Sequence, residues 1–401
     1  MRRHLVISSD GHAGLQPGDY RPYVEAKYRA TFDEALKIQI KQTKETEKMF
    51  LVDEINEEWR KGNEYELTGA WDHDARIKVC DEDGIAGEIL FPDGITEMNT
   101  PPFGAGIGLS TKGANPELQW VGARAHNRWI AEFCQMAPER RCGVAVVPAL
   151  WDIDEAIKEV KWARRQDLRS IMIPVQWGEF PAYHDPRYDP LWAVCEDLEM
   201  VVNYHSGPAD QEDYFGVWPP KPGEEVTRGA MGIYLSEVLW FVARPLTFLI
   251  WGGIFEQFPK LKVSITEGMA DWVPHHMAIL DKHFERSPTE QKLGDYFSHL
   301  SMKPSDYFRR NVRVGSMVTR DEAEDRERIG VKNLMWGSDY PHPEGAWPKT
   351  AHKMDTALKG LPEDDLENIL GRNALEWYGF DEAKLAPIVE RIGPTADRFE
   401  A

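Results

Sequence analysis

Side chains spread over most of the sequence form a chemically coherent set: Asp10, His12, His205, Glu267 and Asp339. Two imidazoles and two or three carboxylates around one point suit a divalent cation of the Zn2+ or Mn2+ kind. Such an ion lowers the pKa of a bound water to about 7 and makes hydroxide near neutrality. Each residue alone has a plainer reading. Asp-Gly is a frequent turn dipeptide, and His205 could be a satisfied core histidine. Glu267, ahead of a glycine, could cap a helix, and Asp339, ahead of Tyr-Pro, could brace a turn. Position is what joins them, because each stands where an apolar run ends.

Asp10 and His12 follow Leu5, Val6 and Ile7, which read as a short buried strand. Side chains separated by one residue on a strand point to the same side. His205 lies in MVVNYHSG (200–207), Glu267 in KVSITEG (262–268), and Asp339 ends NLMWGSD (333–339), with His342 three residues on. Similar runs occur at LVIS, GIAGEILFP (84–92), CGVAVVPAL (142–150), SIMIPVQ (170–176) and RRNVRVGS (309–316). Their near-continuous apolarity fits strands buried on both faces. Helical patterns such as 152–167 and 190–199 lie between them. Alternating strands and helices predict an α/β (β/α)8 TIM barrel, whose strand C-termini converge on one functional face. A doubly wound open sheet is the alternative, but no G-x-G-x-x-G follows the first strand.

The 401 residues, 42% of them hydrophobic, suffice for a large core. They read as one domain over 1–401, with a charged helical insertion at about 17–75 and a Gly/Pro-rich loop insertion at about 207–235. The first insertion reads as a rim helix, a lid or a dimer arm. A formal net charge of −20 with no basic stripe argues against nucleic-acid binding. Four cysteines without a C-x-x-C pair fit a reducing, cytoplasmic setting. The first apolar run is too brief for a signal peptide. YLSEVLWFVARPLTFLIWGGIF carries Glu237, Arg244 and Pro245, so a buried helix followed by a strand is expected, not a membrane span.

The motifs SSDGHAG, CDEDGIAGEILFP, NRWIAEFC, RYDPLWAVCEDLEMVVNYHSG, GGIFEQFPKLKVSITEG and NLMWGSDYPHPEG are similar, in order and spacing, to those of the amidohydrolase-2 branch of the amidohydrolase superfamily. That branch includes aminocarboxymuconate semialdehyde decarboxylase. The resemblance implies a distorted barrel with helical insertions and one divalent metal. It maps metal ligands onto Asp10, His12, His205 and Asp339, gives Asp339 a proton-handling role, and makes a homodimer plausible. Where many members carry a strand-six histidine, this sequence has Glu267, with Asp271 four residues later.

A carboxylate near a cation tends to stay ionised and suits a base. The expectation is therefore a metal-dependent hydrolase, with Zn2+ first and Mn2+ as alternative, acting on a carbonyl-containing small molecule. Asp339 takes the proton of a metal-bound water, Glu267 is a further acid, base or ligand, and His342 holds an oxyanion or bonds its own loop. The alternative is non-oxidative decarboxylation of an aromatic or unsaturated acid. Phe91, Tyr204, Trp218, Trp251 and Trp336 are candidates to line a ring pocket, although most tryptophans are expected in the core. His275 and His276 are expected to be structural. Arg76 either grips a substrate carboxylate or pairs with Asp81 or Glu82.

Overall fold

A computed structural model describes residues 2–50, 52–92, 99–107, 109–207, 229–286 and 292–400. Eight parallel strands follow one another in chain order: β1 (Ile7–Ser8), β2 (Gly87–Leu90), β3 (Arg141–Val146), β4 (Ser170–Met172), β5 (Val201–His205), β6 (Lys262–Thr266), β7 (Val312–Ser316) and β8 (Leu334–Trp336). Each pairs with the next. The backbone closes the ring beyond β8: Ser9 donates to the Trp336 carbonyl at 2.9 Å and His12 to the Tyr340 carbonyl at 2.7 Å. The fold is the expected (β/α)8 barrel. Val201, Val202, Val263, Ile265, Val312 and Val314 are all fully buried, as strands covered on both faces require.

Local chemistry sets the helix starts. Asp152 accepts from the Glu155 amide to open the helix Ile153–Arg165, and Asp72 from the Ala75 amide to open His73–Asp83. Thr319 and Glu322 form a reciprocal capping box. Buried Glu322 also accepts from the Ala270 amide and so ties down the loop after β6. Region 17–75 is helical, with helices Arg29–Phe50, Asp53–Gly62 and Glu64–Leu67. It reaches the strand-eight loop through the Tyr340 hydroxyl, which donates to the Glu66 carbonyl. Of the second insertion, residues 208–228, including Trp218, lie outside the described residues.

One expectation needs correction. The apolar stretch after that insertion is a single helix, Ala230–Trp251, that runs through Pro245. A short turn, Ile254–Gln257, follows it, not a strand. The helix is long and apolar enough to cross a membrane by length and composition, with 39% of its apolar window buried. Val242, Leu246, Leu249 and Ile250 form its buried face. Packing of that face overrides the usual disruption by an internal proline.

Asp83 sits at the C-terminal end of its helix, where the helix dipole disfavours a negative charge. Burial, joined by Glu82, pushes its carboxyl up to about 6, while Thr350, donating at 2.6 Å, only partly offsets this. The folded state therefore favours the protonated form, and stability is lost as pH rises from about 4 through about 6. Asp83→Asn keeps the acceptor for Thr350 without the charge. Its stability gain should be about 1 kcal/mol larger at pH 8 than at pH 5, measured by denaturant unfolding.

Candidate metal centre

Beyond β1 the chain stays extended. His12 bridges Phe91, and Gly11 bridges Tyr340. Gly11 permits this crowding, because a Cβ there would meet the Arg76 guanidinium at 3.2 Å. Asp10 and His12 thus project together into the barrel mouth, as their spacing predicts. His205 is the last residue of β5. Glu267 and Asp339 follow β6 and β8 with φ of +54° and +55°. A left-handed backbone at a non-glycine residue costs about 1–3 kcal/mol and clusters at functional sites.

The side chains meet. His12 Nε2 lies 3.5 Å from Asp10 Oδ1 and 3.2 Å from Asp339 Oδ1. His205 Nε2 lies 3.4 Å from Asp10 Oδ1. His342 stacks on His12 with ring centroids 4.0 Å apart, and its Nδ1 is 2.8 Å from Asp339 Oδ1. Glu267 Oε2 is 3.5 Å from His205 Nδ1 and accepts from the Ser206 hydroxyl at 2.6 Å. Ligating atoms of Asp10, His12, His205 and Glu267 all fall within 4.8 Å of one another, and so do those of His12, Asp339 and His342.

Two observations fit this set to a divalent cation. Asp10 Oδ2, His12 Nε2, both Asp339 carboxylate oxygens and both His342 nitrogens are buried without a hydrogen-bond partner. Buried polar atoms are rarely left so, and an ion among them would satisfy several together. The donor chemistry, imidazole nitrogen and carboxylate oxygen, is the one Zn2+ and Mn2+ take. The second ring nitrogens are partly engaged already: His12 Nδ1 lies 3.1 Å from the Pro92 carbonyl and His205 Nδ1 3.1 Å from the Ser206 carbonyl. Such outer bonds hold each ring through Nδ1 and would leave Nε2 for an ion.

The electrostatics are those of a tightly packed ion cluster. Burial opposes ionisation of Asp10 and Asp339, but neighbouring imidazoles outweigh it and hold both carboxyls below their usual range. Burial also opposes charge on His12, yet Asp10 and Asp339 raise it well above the ordinary value. His342 is pushed up to about 9 by Asp339, against burial and His12. Glu267 keeps a 26% exposed side chain. Burial of its carboxyl, with Asp339 and Asp10 nearby, still pushes it up to about 7 against the pull of His205.

Other sequence candidates stand elsewhere. Phe91 touches the site, with its ring 4.6 Å from that of His205. Tyr204 and Trp336 are buried in the core, and the Trp251 carbonyl faces His299. His276 bonds Thr247 at 3.0 Å, and His275 is exposed. Arg76 pairs with neither Asp81 nor Glu82. It is fully buried, with Nε donating to both Glu88 oxygens at 3.0 Å and Nη1 donating to the His12 carbonyl at 2.6 Å. Sequence reading missed Glu88, Ser206 and Glu344, the last grouped with Glu267 and Asp339. Glu88 carried a signal, as the one charge inside the apolar strand GIAGEILF.

The sequence matches the amidohydrolase family model over residues 114–380. A curated relative from Dictyostelium discoideum, 2-amino-3-carboxymuconate-6-semialdehyde decarboxylase, is 25% identical over 79% of each chain. Gamma-resorcylate decarboxylase from Rhodococcus jostii (strain RHA1) is 25% identical over 67% of this chain and 77% of its own. Among solved structures, an amidohydrolase from Mycobacterium avium subsp. paratuberculosis K-10 superposes with a TM-score of 0.69 at 18% identity, covering 96% of this chain and 100% of its own. A dihydroxybenzoic acid decarboxylase from Polaromonas sp. JS666, with bound manganese and 2-nitroresorcinol, superposes with a TM-score of 0.60 at 18% identity, covering 95% and 99%. These superpositions bear out the fold.

The hydrolase expectation is overturned, because the two curated relatives described above are named decarboxylases. The strand order, the clustered mouth residues and the family match agree: the chain is an enzyme of the amidohydrolase family.

Proposed function

We propose that this enzyme is a metal-dependent, non-oxidative decarboxylase of an aromatic or unsaturated carboxylic acid. One observation carries the reading: unpartnered atoms of Asp10, His12, Asp339 and His342 converge beside the Glu267 carboxyl. Asp10, His12, His205 and Asp339 would hold the ion. When bound, a divalent ion supplies fixed positive charge that orients substrate oxygens and offsets negative charge as the carboxylate leaves.

The chain's own residues supply the rest. Phe91, against His205, offers a flat apolar wall to a ring. His342, stacked on His12 and 2.8 Å from Asp339, offers a ring nitrogen as a donor to the substrate carboxylate. As the carbon–carboxyl bond breaks and CO2 departs, the carbon takes a proton. Glu267, which accepts from the Ser206 hydroxyl, would give it. Zn2+ and Mn2+ both suit two imidazoles with carboxylates, so parallel reconstitution with each ion decides between them.

The test incubates metal-loaded enzyme with salicylate-type acids, and with lactones and amides, while CO2 is followed. Release of CO2 from an aromatic acid is the expected result. Hydrolysis of a lactone or amide with no CO2 from any acid would overturn the reading. Glu267→Gln should lower kcat by about 10²–10⁴-fold with little change in KM, since proton transfer and not binding is lost. Glu267→His, which restores an acid at that position, should recover part of the rate.

A further inference from the structure

We propose a second divalent-cation site at the other end of β1, formed by His4, Glu363 and Glu367 and suited to Zn2+. His4 lies three residues before β1, whereas Asp10 and His12 lie past its C-terminal end. The two sites are therefore separated by the length of the barrel wall. Glu363 and Glu367 lie on the short helix that precedes the last strand-covering segments.

His4 Nε2 is 3.9 Å from Glu363 Oε1, and one ligating atom from each of the three residues lies within 4.8 Å of the others. A tetrahedral ion with ligands at about 2.1 Å separates them by roughly 3.4 Å. Modest side-chain movement closes the difference. Two carboxylates alone would carry no argument, but His4 adds an independent one. Its ring is buried, and neither Nδ1 nor Nε2 has a hydrogen-bond partner. Leaving such atoms unmatched is unfavourable, and a ligated cation would relieve this at Nε2.

Positive charge is already held at this point. Arg2 Nη1 lies 3.0 Å from Glu363 Oε1, and its Nη2 donates to Glu367 Oε1. Arg2 is a 59% exposed side chain, so its guanidinium can swing into solvent. It spans the carboxylates but makes no bond to His4. A metal ion would engage all three groups. Arg372, which donates to the other Glu367 oxygen, can stay in place. The ion would join the lead-in of β1 to the helix Glu363–Glu367. The N-terminal face of a barrel serves stability, so the effect is expected on unfolding and not on turnover.

The test uses the full chain, stripped with chelator and dialysed against buffered Zn2+, with zinc counted per chain and unfolding followed by calorimetry. Native protein should bind one zinc more than Glu363→Gln/Glu367→Gln and one more than His4→Phe, which keeps the ring packing. Its Tm should rise more with zinc than that of either variant, whose smaller rise comes from the central site alone. Arg2→Ala removes the competing cation and should bind the extra zinc about fivefold more tightly. Equal zinc counts in native and Glu363→Gln/Glu367→Gln proteins, or no tightening in Arg2→Ala, would overturn the proposal. The difference of one zinc is independent of whether the central site binds, so the two readings fail separately.

Discussion

Asp339→Asn is expected to abolish central metal binding and lower kcat by at least about 10³-fold. The choice of asparagine matters. Asp339 has φ of +55°, and asparagine adopts that left-handed backbone almost as readily as aspartate, whereas alanine would add strain. The fold should survive, with unchanged far-ultraviolet circular dichroism. What is lost is charge. Asp339 Oδ1 lies 3.2 Å from His12 and 2.8 Å from His342, and both imidazoles owe their raised proton affinity partly to it. Without it, His12 loses the anion that orders its ring. Equilibrium dialysis and steady-state kinetics measure both losses. Retention of full metal affinity by Asp339→Asn would remove this residue from the ligand set.

Glu88→Gln is expected to be the most destabilising single change near the site, by about 3–5 kcal/mol in denaturant unfolding. Glu88 is the anion between two buried guanidiniums, taking bonds from Arg76 at 3.0 Å and from Arg141 at 3.4 Å. Glutamine leaves two cations buried without a counter-charge. The damage should reach the centre. Arg76 donates to the carbonyls of His12 and Gly69, and its guanidinium lies 5.0 Å from the ring of Tyr340, next to Asp339. One buried side chain therefore braces both loops that carry candidate ligands. Arg76→Met combined with Glu88→Gln should cost less than the sum of the single changes, because the groups act as one network. Strict additivity would show that Arg76 and Glu88 are not coupled.

The parts of the fold readable in the sequence are those set by local rules. Strand apolarity marked all eight strands, and the Asp-x-His spacing placed Asp10 and His12 on one side. Strand ends in a barrel converge, which joined His205, Glu267 and Asp339 to them before any distance was known. The unread parts depend on contacts between distant segments. Arg76 looked available to a substrate because its true partner, Glu88, lies across a turn on β2. Pro245 looked like a helix end because burial of Val242, Leu246 and Leu249 cannot be seen in a local window. The role of Glu267 stayed open among acid, base and ligand because the groups around it, His205 and Asp10, are distant in sequence and adjacent in space.

The most direct test of the account is the position of a bound ion. Crystals of the chain soaked in Mn2+ and measured at its absorption edge should show an anomalous peak at the barrel mouth. That peak should lie about 2.0–2.3 Å from atoms of Asp10, His12, His205 and Asp339. No peak among these four residues, with one elsewhere at full occupancy, would contradict it.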